Sequence, residues 1–368
     1  MRKLTFLILL FLLGVLVPGL GIALGGDGSD GIGSQKPGAE SVVVQQDITD
    51  ADDAPRSTAT PGEYENRQWT MAIMADMNGP YGSTTYNNHV HSAVAWLVEQ
   101  QNIDLVVSPG DLVAGQRRGL SFEPMWTAFH EAVTDPLARA GIPLAVSPGN
   151  HDASGAPAFW EERIHFVREF ERRRPQLSFV DQRFYPFYYA FEVGPALIIS
   201  LDGTTVGPLD RVQREWVRKT LARNQHKSVR IVVSHVPLFA VAEGREREIL
   251  RDRELEEIFE EFNVDLMITG HHHAYYPAKR GKTIYLHAAA LGDGPRRLVG
   301  DDHRSPRSMS LVTFDESGIL ELDTRLSPRF EESVDLNSLP ESITADGEPI
   351  YRIDLYNVDR RGLQSRSE

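Results

Sequence analysis

The sequence predicts an α/β fold with two packed mixed β-sheets and helices on the outside. Short apolar runs bounded by turn residues alternate with amphipathic stretches at helical spacing, and several of the runs end directly in polar residues. This alternation is typical of βαβ units, in which the carboxyl ends of parallel strands meet at one edge of a sheet. Three later apolar runs, at 283–288, 309–314 and 319–324, indicate a second sheet packed against the first.

The strands are predicted from short apolar runs that end at polar or turn residues. The first run, 70–75, is followed directly by Asp76, and Ser83 or Thr84 in the next loop is predicted to cap the helix that contains Val90 and Val94. The further predicted strands are 103–107, 142–146, 187–191, 196–201, 229–233 and 264–269.

The helices are predicted from apolar residues at helical spacing or from long charged stretches without breakers. Residues 210–224 illustrate the first kind, because Trp216, Val217 and Leu221 share one face. The charged stretch 159–173 is predicted to be a solvent-exposed helix. The other predicted helices are 123–140 and 243–262.

The N-terminus predicts export. Met1-Arg2-Lys3 precedes an apolar run at 4–17, and the helix-breaking pair Pro18-Gly19 follows, which is typical of a cleaved secretory signal peptide at 1–24. The alternative is an uncleaved membrane anchor, because 4–24 is long enough to span a bilayer. Residues 25–67 are predicted to be a disordered linker, 68–328 the folded domain and 329–368 a C-terminal extension.

Composition limits the partners and the chemistry. The chain has 368 residues, a formal net charge of -14 and no cysteine. The acidic balance disfavours nucleic acid and anionic membranes as partners, and no obligate protein partner is visible in the sequence. Without cysteine, disulfides and thiolate metal sites are excluded, so a metal ion must be held by His, Asn, Asp or Glu.

Polar residues at five predicted strand ends form a candidate metal site. The same Ser-Pro-Gly turn precedes both Asp111 and Asn150. Nitrogen and oxygen donors of this mixture suit Zn, Mn, Fe, Co or Ni, and two such ions activate water and stabilise an in-line displacement at phosphorus. The sequence therefore predicts phosphoester hydrolysis. The candidate ligands are Asp76, Asp111, Asn150, His235, His271 and His273.

Five short motifs, each after a predicted strand, occur in one order along the chain. They are Asp76-Met77-Asn78, Gly110-Asp111, Gly149-Asn150-His151-Asp152, Ser234-His235 and Gly270-His271-His272-His273. Over residues 69–314 the sequence thereby resembles the calcineurin-like metallophosphoesterases, the superfamily that includes purple acid phosphatases. The resemblance implies a four-layer sandwich and two divalent or trivalent transition-metal ions such as Fe, Mn or Zn.

The resemblance also implies residue roles. One metal ion is assigned to Asp76, Asp111 and His273, and the other to Asp111, Asn150, His235 and His271. Asp111 bridges the two ions, and the hydroxide between them is the implied nucleophile. His151 contacts the phosphoryl oxygen or protonates the leaving group, and Asp152 supports the site from behind.

Two positions depart from the family pattern. Asn78 stands where the first motif usually ends in His, so it offers an amide oxygen to the first metal ion or does not bind it. Ala114 stands where an Asp or Tyr is usual, which removes the customary support for His151. Tyr81 and Tyr86 are therefore considered both as groups near the metal ions and as packing residues.

Other polar residues have ordinary structural interpretations. His89, His91 and His272 are expected to be surface, core or packing residues, and Asp202 is either structural or part of the site. The charged run 245–248 is interpreted as a solvated face, with the alternative that one of its arginines enters the cleft and binds phosphate as a fork.

The favoured interpretation is an exported, metal-dependent phosphoesterase acting on a small-molecule phosphoester. A monoesterase is favoured because no basic strand-binding groove is evident. The alternatives are a phosphodiesterase or nuclease of the same fold, and a non-catalytic binding protein that has lost one metal ion, for which Asn78 and Ala114 are the supporting features.

Overall fold

The computed structural model describes residues 67–302, 304–345 and 347–355. The predicted signal segment (1–24) and the predicted linker (25–67), except its last residue, lie outside the described residues. So does 356–368 of the predicted C-terminal extension. In the part of the chain that is described, no helix is both long and apolar enough to cross a membrane.

The described strands and helices are numbered in chain order. The strands are β1 (Trp69–Ile73), β2 (Leu105–Ser108), β3 (Leu144–Val146), β4 (Ser178–Phe184), β5 (Tyr188–Val193), β6 (Ala196–Ser200), β7 (Val229–Ser234), β8 (Leu266–Thr269), β9 (Tyr276–Arg280), β10 (Thr283–His287), β11 (Ser308–Asp315), β12 (Gly318–Leu326), β13 (Ser342–Ile343) and β14 (Ile350–Arg352). The helices are α1 (Asn88–Glu99), α2 (Phe122–Phe129), α3 (Asp135–Arg139), α4 (Glu161–Arg172), α5 (Arg211–Arg223) and α6 (Arg253–Glu261).

The strands form two mixed sheets. One has five strands in the order β12-β11-β1-β2-β3, and the other has nine in the order β13-β14-β9-β10-β8-β7-β6-β5-β4. Strands β1 to β3 run parallel, as do β6, β7, β8 and β10, and the outer strands are antiparallel. Every residue of β1, β2 and β3 is buried, as expected of parallel strands covered on both faces. The predicted fold class is confirmed.

Side-chain hydroxyls join the two sheets. Tyr189 on β5 donates its hydroxyl to the Val146 carbonyl at 2.8 Å and accepts from the Val146 amide at 3.0 Å. The Ser147 and Ser200 hydroxyl oxygens lie 2.8 Å apart. Because β3 is the edge of the five-stranded sheet, these bonds satisfy backbone groups that an unpaired edge leaves open. The two sheets are therefore fixed against each other next to Asn150.

The prediction that three later runs form one second sheet is wrong, because they belong to two different sheets. The run at 283–288 becomes β10, which pairs in parallel with β8, whereas the runs at 309–314 and 319–324 become β11 and β12 of the five-stranded sheet. Strand β11 returns to pair with β1 across more than two hundred residues of sequence. Apolar periodicity identifies a strand but carries no information about such distant partners.

The predicted cap of the first helix is wrong. Neither Ser83 nor Thr84 caps α1, because Asn87 Oδ1 accepts from the amides of His89 and Val90 at 3.0 and 3.2 Å, while Ser83 bonds to Thr85 within the loop. The predicted helix at 123–140 is confirmed, because 122–139 is helical throughout, with a π-helical turn, His130–Thr134, between α2 and α3.

The predicted helix 243–262 is also wrong over its first half. The helix begins only at Arg253, where Asp252 caps it by accepting from the Leu255 amide at 3.1 Å. Residues 243–251 form a loop, tied down by bonds from the Glu243 amide to the Arg297 carbonyl and from the Leu250 amide to the Pro237 carbonyl. This loop brings Glu248 to the candidate site.

The segment beyond residue 328 contributes to the sheet. Strands β13 and β14 pair with each other, and β14 pairs with β9 at one edge of the nine-stranded sheet. The Arg352 guanidinium donates to the Leu339 carbonyl at 2.6 Å and anchors this segment. The division at 328/329 remains a prediction.

Candidate metal centre

The predicted ligand residues lie in loops that follow the carboxyl ends of five strands. Strands β1, β2 and β3 belong to one sheet, and β7 and β8 belong to the other, so the loops meet where the two sheet edges adjoin. The residues are Asp76 after β1, Asp111 after β2, Asn150 after β3, His235 after β7, and His271 and His273 after β8.

One group of candidate ligands contains Asp76, Asp111 and His273. Each of these residues offers one ligand atom, and these atoms all lie within 4.8 Å of one another. Asp76 Oδ1 lies 3.2 Å from His273 Nε2 and accepts from the His271 amide at 2.9 Å. The second oxygen, Oδ2, is buried and has no hydrogen-bond partner within the described residues. A buried carboxylate oxygen without a donor fits a metal ligand.

A second group contains Asn150, His235 and His271. Asn150 Oδ1 lies 2.7 Å from His235 Nε2 and 2.9 Å from His271 Nδ1. His235 Nδ1 donates to the Pro109 carbonyl, so Nε2 of the neutral ring carries the lone pair. His271 Nε2 faces the Glu248 carboxylate at 2.9 Å, which likewise leaves the lone pair on Nδ1. The lone pairs of Asn150 Oδ1, His235 Nε2 and His271 Nδ1 therefore face one another and repel. A cation bound between these three atoms would remove the repulsion.

Asp111 lies between the two groups. Its Oδ1 is 3.3 Å from His235 Nε2, and its carboxylate also belongs to the group with Asp76. Burial opposes its ionisation, yet His235 and His151 hold the pKa of Asp111 well below its ordinary value. Burial lowers the pKa of His235, but the Asp111 carboxylate outweighs this and raises it to about 9. The site thus favours bound positive charge, either a proton or a metal ion.

The backbone at four candidate ligands is strained. The φ angles are 48° at Asp76, 57° at Asp111, 65° at His271 and 52° at His273. This left-handed region costs a residue with a side chain roughly 1–3 kcal/mol, so the surrounding structure must enforce it. Such strain concentrates at functional sites, and here it falls on the residues whose side chains converge.

The repeated Ser-Pro-Gly turns are explained by their contact. Gly110 has a φ of 102°, and a Cβ atom there would lie 2.6 Å from Gly149 Cα. A Cβ atom at Gly149 would in turn collide with the Asp111 amide. Asp152 ties the turns together by accepting from the amides of Leu112 and Gly149 at 2.7 and 3.1 Å. Only glycine allows the two loops to place Asp111 and Asn150 side by side.

His151 is held by a backbone group that sequence motifs do not reveal. Its Nδ1 donates to the Gly115 carbonyl at 3.1 Å, which replaces the side-chain support expected at Ala114. Nε2 points toward Asp111 Oδ2 at 3.9 Å, and the ring lies against Tyr81 with centroids 5.3 Å apart. The free Nε2 of His151 therefore faces the candidate site.

Glu248 is a site residue that the sequence analysis missed. Its carboxylate lies 2.9 Å from His271 Nε2 and also pairs with Arg245. A carboxylate on the far nitrogen of a ligand histidine fixes the tautomer and strengthens the ring as a donor. In the sequence, Glu248 belongs to the charged run 245–248, which is interpreted as a solvated face with the alternative that one of its arginines enters the cleft, so Glu248 itself does not stand out.

Glu248→Ala is expected to weaken metal binding by about 10- to 100-fold, because His271 loses the group that orients it. Titration of metal-free protein with Zn²⁺ or Mn²⁺ measures this change, and Glu248→Gln should recover part of the affinity. Glu246→Ala is the matched control, since Glu246 accepts from the nearby Gly244 amide and, among the described residues, forms no bond to a candidate ligand. Equal affinity in Glu248→Ala and the parent protein would contradict the positioning role.

The remaining candidates are placed as follows. Tyr86 is a packing residue whose hydroxyl donates to the Leu112 carbonyl at 2.6 Å. Asp202 pairs with Arg163 and accepts from Thr204, outside the ligand groups. His272 is buried and uses both ring nitrogens, on the Val241 amide and the Glu248 carbonyl. His89 bonds to Ser327, and His91 is exposed.

A cavity of about 330 Å³ opens over the ligand groups. Its lining includes three histidines, His151, His271 and His273, the exposed side chains of Tyr81 and Val206, and two arginines. The lining arginines are Arg245 and Arg296.

Comparison with known families agrees with this fold. The family model described as calcineurin-like phosphoesterase matches residues 71–275. The chain therefore belongs to the calcineurin-like phosphoesterase family, a class of phosphoester hydrolases, and the predicted resemblance is confirmed. Membership implies a dinuclear metal centre, with which the two ligand groups agree.

Individual relatives are phosphatases. The chain is 26% identical over 238 residues to purple acid phosphatase 22 of Arabidopsis thaliana, covering 62% of this chain and 50% of that protein. It is 24% identical over 228 residues to a phosphoenolpyruvate phosphatase of Allium cepa, covering 61% and 45%. The chain thus spans about half the length of the curated relatives it matches.

The solved structure of a purple acid phosphatase from yellow lupin (Lupinus luteus) seeds has a similar fold. The TM-score is 0.56 at 19% identity, and the match covers 73% of this chain and 52% of that one. At this identity the likeness concerns the fold.

Proposed function

We propose that the protein is a dinuclear metal-dependent phosphomonoesterase that acts on small organic phosphates. The observation that carries the proposal is the convergence of Asn150 Oδ1, His235 Nε2 and His271 Nδ1 beside the Asp111 carboxylate. A small substrate is supported by the size of the cavity, which is at the low end for ligand pockets, and by the net charge of -14. The same charge disfavours a nucleic acid substrate.

The two ligand groups are proposed to hold one ion each and to share Asp111. The first ion belongs to Asp76, Asp111 and His273, and the buried free oxygen of Asp76 supports this assignment. The second belongs to Asp111, Asn150, His235 and His271. Fe, Mn and Zn suit this donor set. When bound, such ions provide Lewis-acid stabilisation of phosphoryl charge and lower the pKa of water.

His151 is proposed to act on the leaving group. With Nδ1 donating to Gly115, the second proton of the imidazolium form lies on Nε2, which faces the cavity. As the ester P–O bond breaks, its electron pair stays on the leaving oxygen, and the Nε2 proton neutralises that oxygen. The oxygen of water becomes bonded to phosphorus, one proton of that water stays on the phosphate product, and the other replaces the proton that His151 has given up. Tyr81 packs on the ring and limits its rotation.

Asn78 is proposed as a weak oxygen ligand of the first ion. Its backbone N–H donates to the Asp111 carbonyl at 3.1 Å, and the residue is only 7% exposed. The backbone of Asn78 is thus held beside Asp111, a member of the first ligand group.

Asn78→His should tighten the first ion, because imidazole is a better donor than an amide for borderline cations. Competition with a chelator measures the order in which the ions leave, and the weaker ion should be retained longer in the variant. Asn102→His, at an exposed position, controls for metal binding by an added histidine. Unchanged or abolished binding at Asn78→His would identify Asn78 as a structural residue of its loop.

The proposed reaction is tested with the full chain and a panel of esters under saturating metal. Aryl and alkyl monoesters should be hydrolysed faster than bis-aryl diesters. Faster diester cleavage would favour the phosphodiesterase or nuclease alternative. No turnover together with one ion or none per chain would favour the binding protein.

Export is also proposed. The basic start Met1-Arg2-Lys3, the apolar run 4–17 and the Pro18-Gly19 pair support a cleaved signal, with a retained anchor as the alternative.

A further inference from the structure

Arg296 lies in a loop that is fixed to the candidate metal centre. Its amide donates to the His273 carbonyl at 3.1 Å. Earlier in the same loop, the Gly292 amide donates to the Asp76 carbonyl at 2.8 Å and the Asp293 amide donates to the Asn78 carbonyl at 3.1 Å. The backbone of Arg296 is thus held in place by the loops that supply the first ligand group.

The guanidinium of Arg296 has no acidic partner among the described residues, whereas two nearby arginines each pair with a glutamate. Arg245 pairs with Glu248, and Arg297 pairs with Glu243 at 2.6 Å. Arg296 Nη1, in contrast, is buried and bonds to no acceptor among the described residues. Leaving a buried charged donor without an acceptor is unfavourable, so the missing acceptor is expected from a bound molecule.

The charge distribution around the cavity favours an anion at this wall. Arg245 and Arg296 both line the cavity, and Arg296 is half-buried there. Two exposed apolar side chains also line the cavity, Tyr81 at 54% and Val206 at 56% exposure. Since Glu248 already neutralises Arg245, Arg296 is the arginine of the described wall that is available to an anionic ligand.

We propose that Arg296, next to Arg245, binds a second anionic group on the leaving-group side of the substrate. The substrates are then small phosphoesters with a carboxylate or a second phosphate in addition to the phosphoryl group that is transferred. This inference rests on the proposed function, which assigns the transferred group to the ligand cluster. A guanidinium suits the role because its planar fork matches both carboxylate and phosphate.

A matched pair of esters tests the inference by kinetics. Phosphoglycolate and ethyl phosphate differ by a carboxylate in place of a methyl group. In Arg296→Gln, the ratio of kcat/KM for phosphoglycolate to that for ethyl phosphate should fall by about 10- to 100-fold, the usual cost of a charge-assisted bond. Arg296→Lys should give an intermediate ratio, and Arg297→Gln, at the adjacent outward-facing arginine, should keep the parent ratio. An unchanged ratio in Arg296→Gln would overturn the inference.

Binding of phosphonates separates this inference from the proposed function, because it needs no turnover. By calorimetry, the parent protein loaded with metal should bind 3-phosphonopropionate or ethane-1,2-bisphosphonate more tightly than propylphosphonate, and Arg296→Gln should lose the preference. The stronger of the two ligands identifies carboxylate or phosphate as the second group. If the protein prefers these two ligands over propylphosphonate but hydrolyses no ester, the proposed function alone is contradicted. Equal binding of all three by the parent protein, with hydrolysis intact, would sink the inference alone.

Discussion

Asp111→Asn is expected to lose bound metal and activity together. An asparagine amide is neutral and cannot balance two cations, whereas the Asp111 carboxylate is shared by both ligand groups. Asparagine tolerates the left-handed backbone present here, with its φ of 57°, so the substitution isolates the charge from backbone strain. Turnover should fall by at least about 10²- to 10³-fold, the cost of removing one transition-state stabiliser.

Elemental analysis of the purified variant, together with its kcat, measures this loss. Asp202→Asn is the control, because Asp202 is also a carboxylate at a strand end but pairs with Arg163 away from the ligands. The control should keep its metal content. If Asp111→Asn retains two tightly bound ions and normal turnover, Asp111 is not a bridge.

His151→Ala is expected to keep both ions and to lower the turnover of alkyl phosphates by about 10²- to 10⁴-fold, the range for loss of a general acid. The reason is geometric: Gly115 holds Nδ1, and the opposite nitrogen faces the cavity and is not needed for either ligand group. Metal analysis and kcat for ethyl phosphate measure the two parts of this prediction.

The leaving group provides the control for His151→Ala. Nitrophenolate leaves without a proton, so the loss should be much smaller for 4-nitrophenyl phosphate than for ethyl phosphate. His91→Ala, at an exposed histidine, should behave like the parent protein. An equal loss for both esters would exclude the acid role and leave His151 as a residue that positions phosphate.

The parts of the fold that sequence predicts are those with local signals. Apolar runs that end in Asp76, Asp111, Asn150 and His235 are short, buried strands, and their polar ends meet because parallel strands share an edge. Sheet membership was not predictable for β11 and β12, because β11 joins the five-stranded sheet by pairing with β1, which lies more than two hundred residues away in sequence. Strands β13 and β14 are too short to show periodicity.

The structure brings the predicted ligand residues together, but the sequence did not point to the groups that surround and orient them. Glu248 and Arg296 stand in charged surroundings that resemble any solvated surface, and only the folded loops bring them to His271 and the cavity. The contact between His151 and the Gly115 carbonyl could not be predicted for another reason. A motif records side chains, whereas His151 is held by a backbone oxygen.

The central claim is that two ions, sharing Asp111, are required for phosphoester hydrolysis. Its most direct test is a titration of the metal-free full chain with Mn²⁺ or Zn²⁺, in which bound metal and the rate of 4-nitrophenyl phosphate hydrolysis are followed together. We expect the rate to reach its plateau only as the second ion per chain is bound. Full activity with one ion, or activity that does not depend on added metal, would contradict the account.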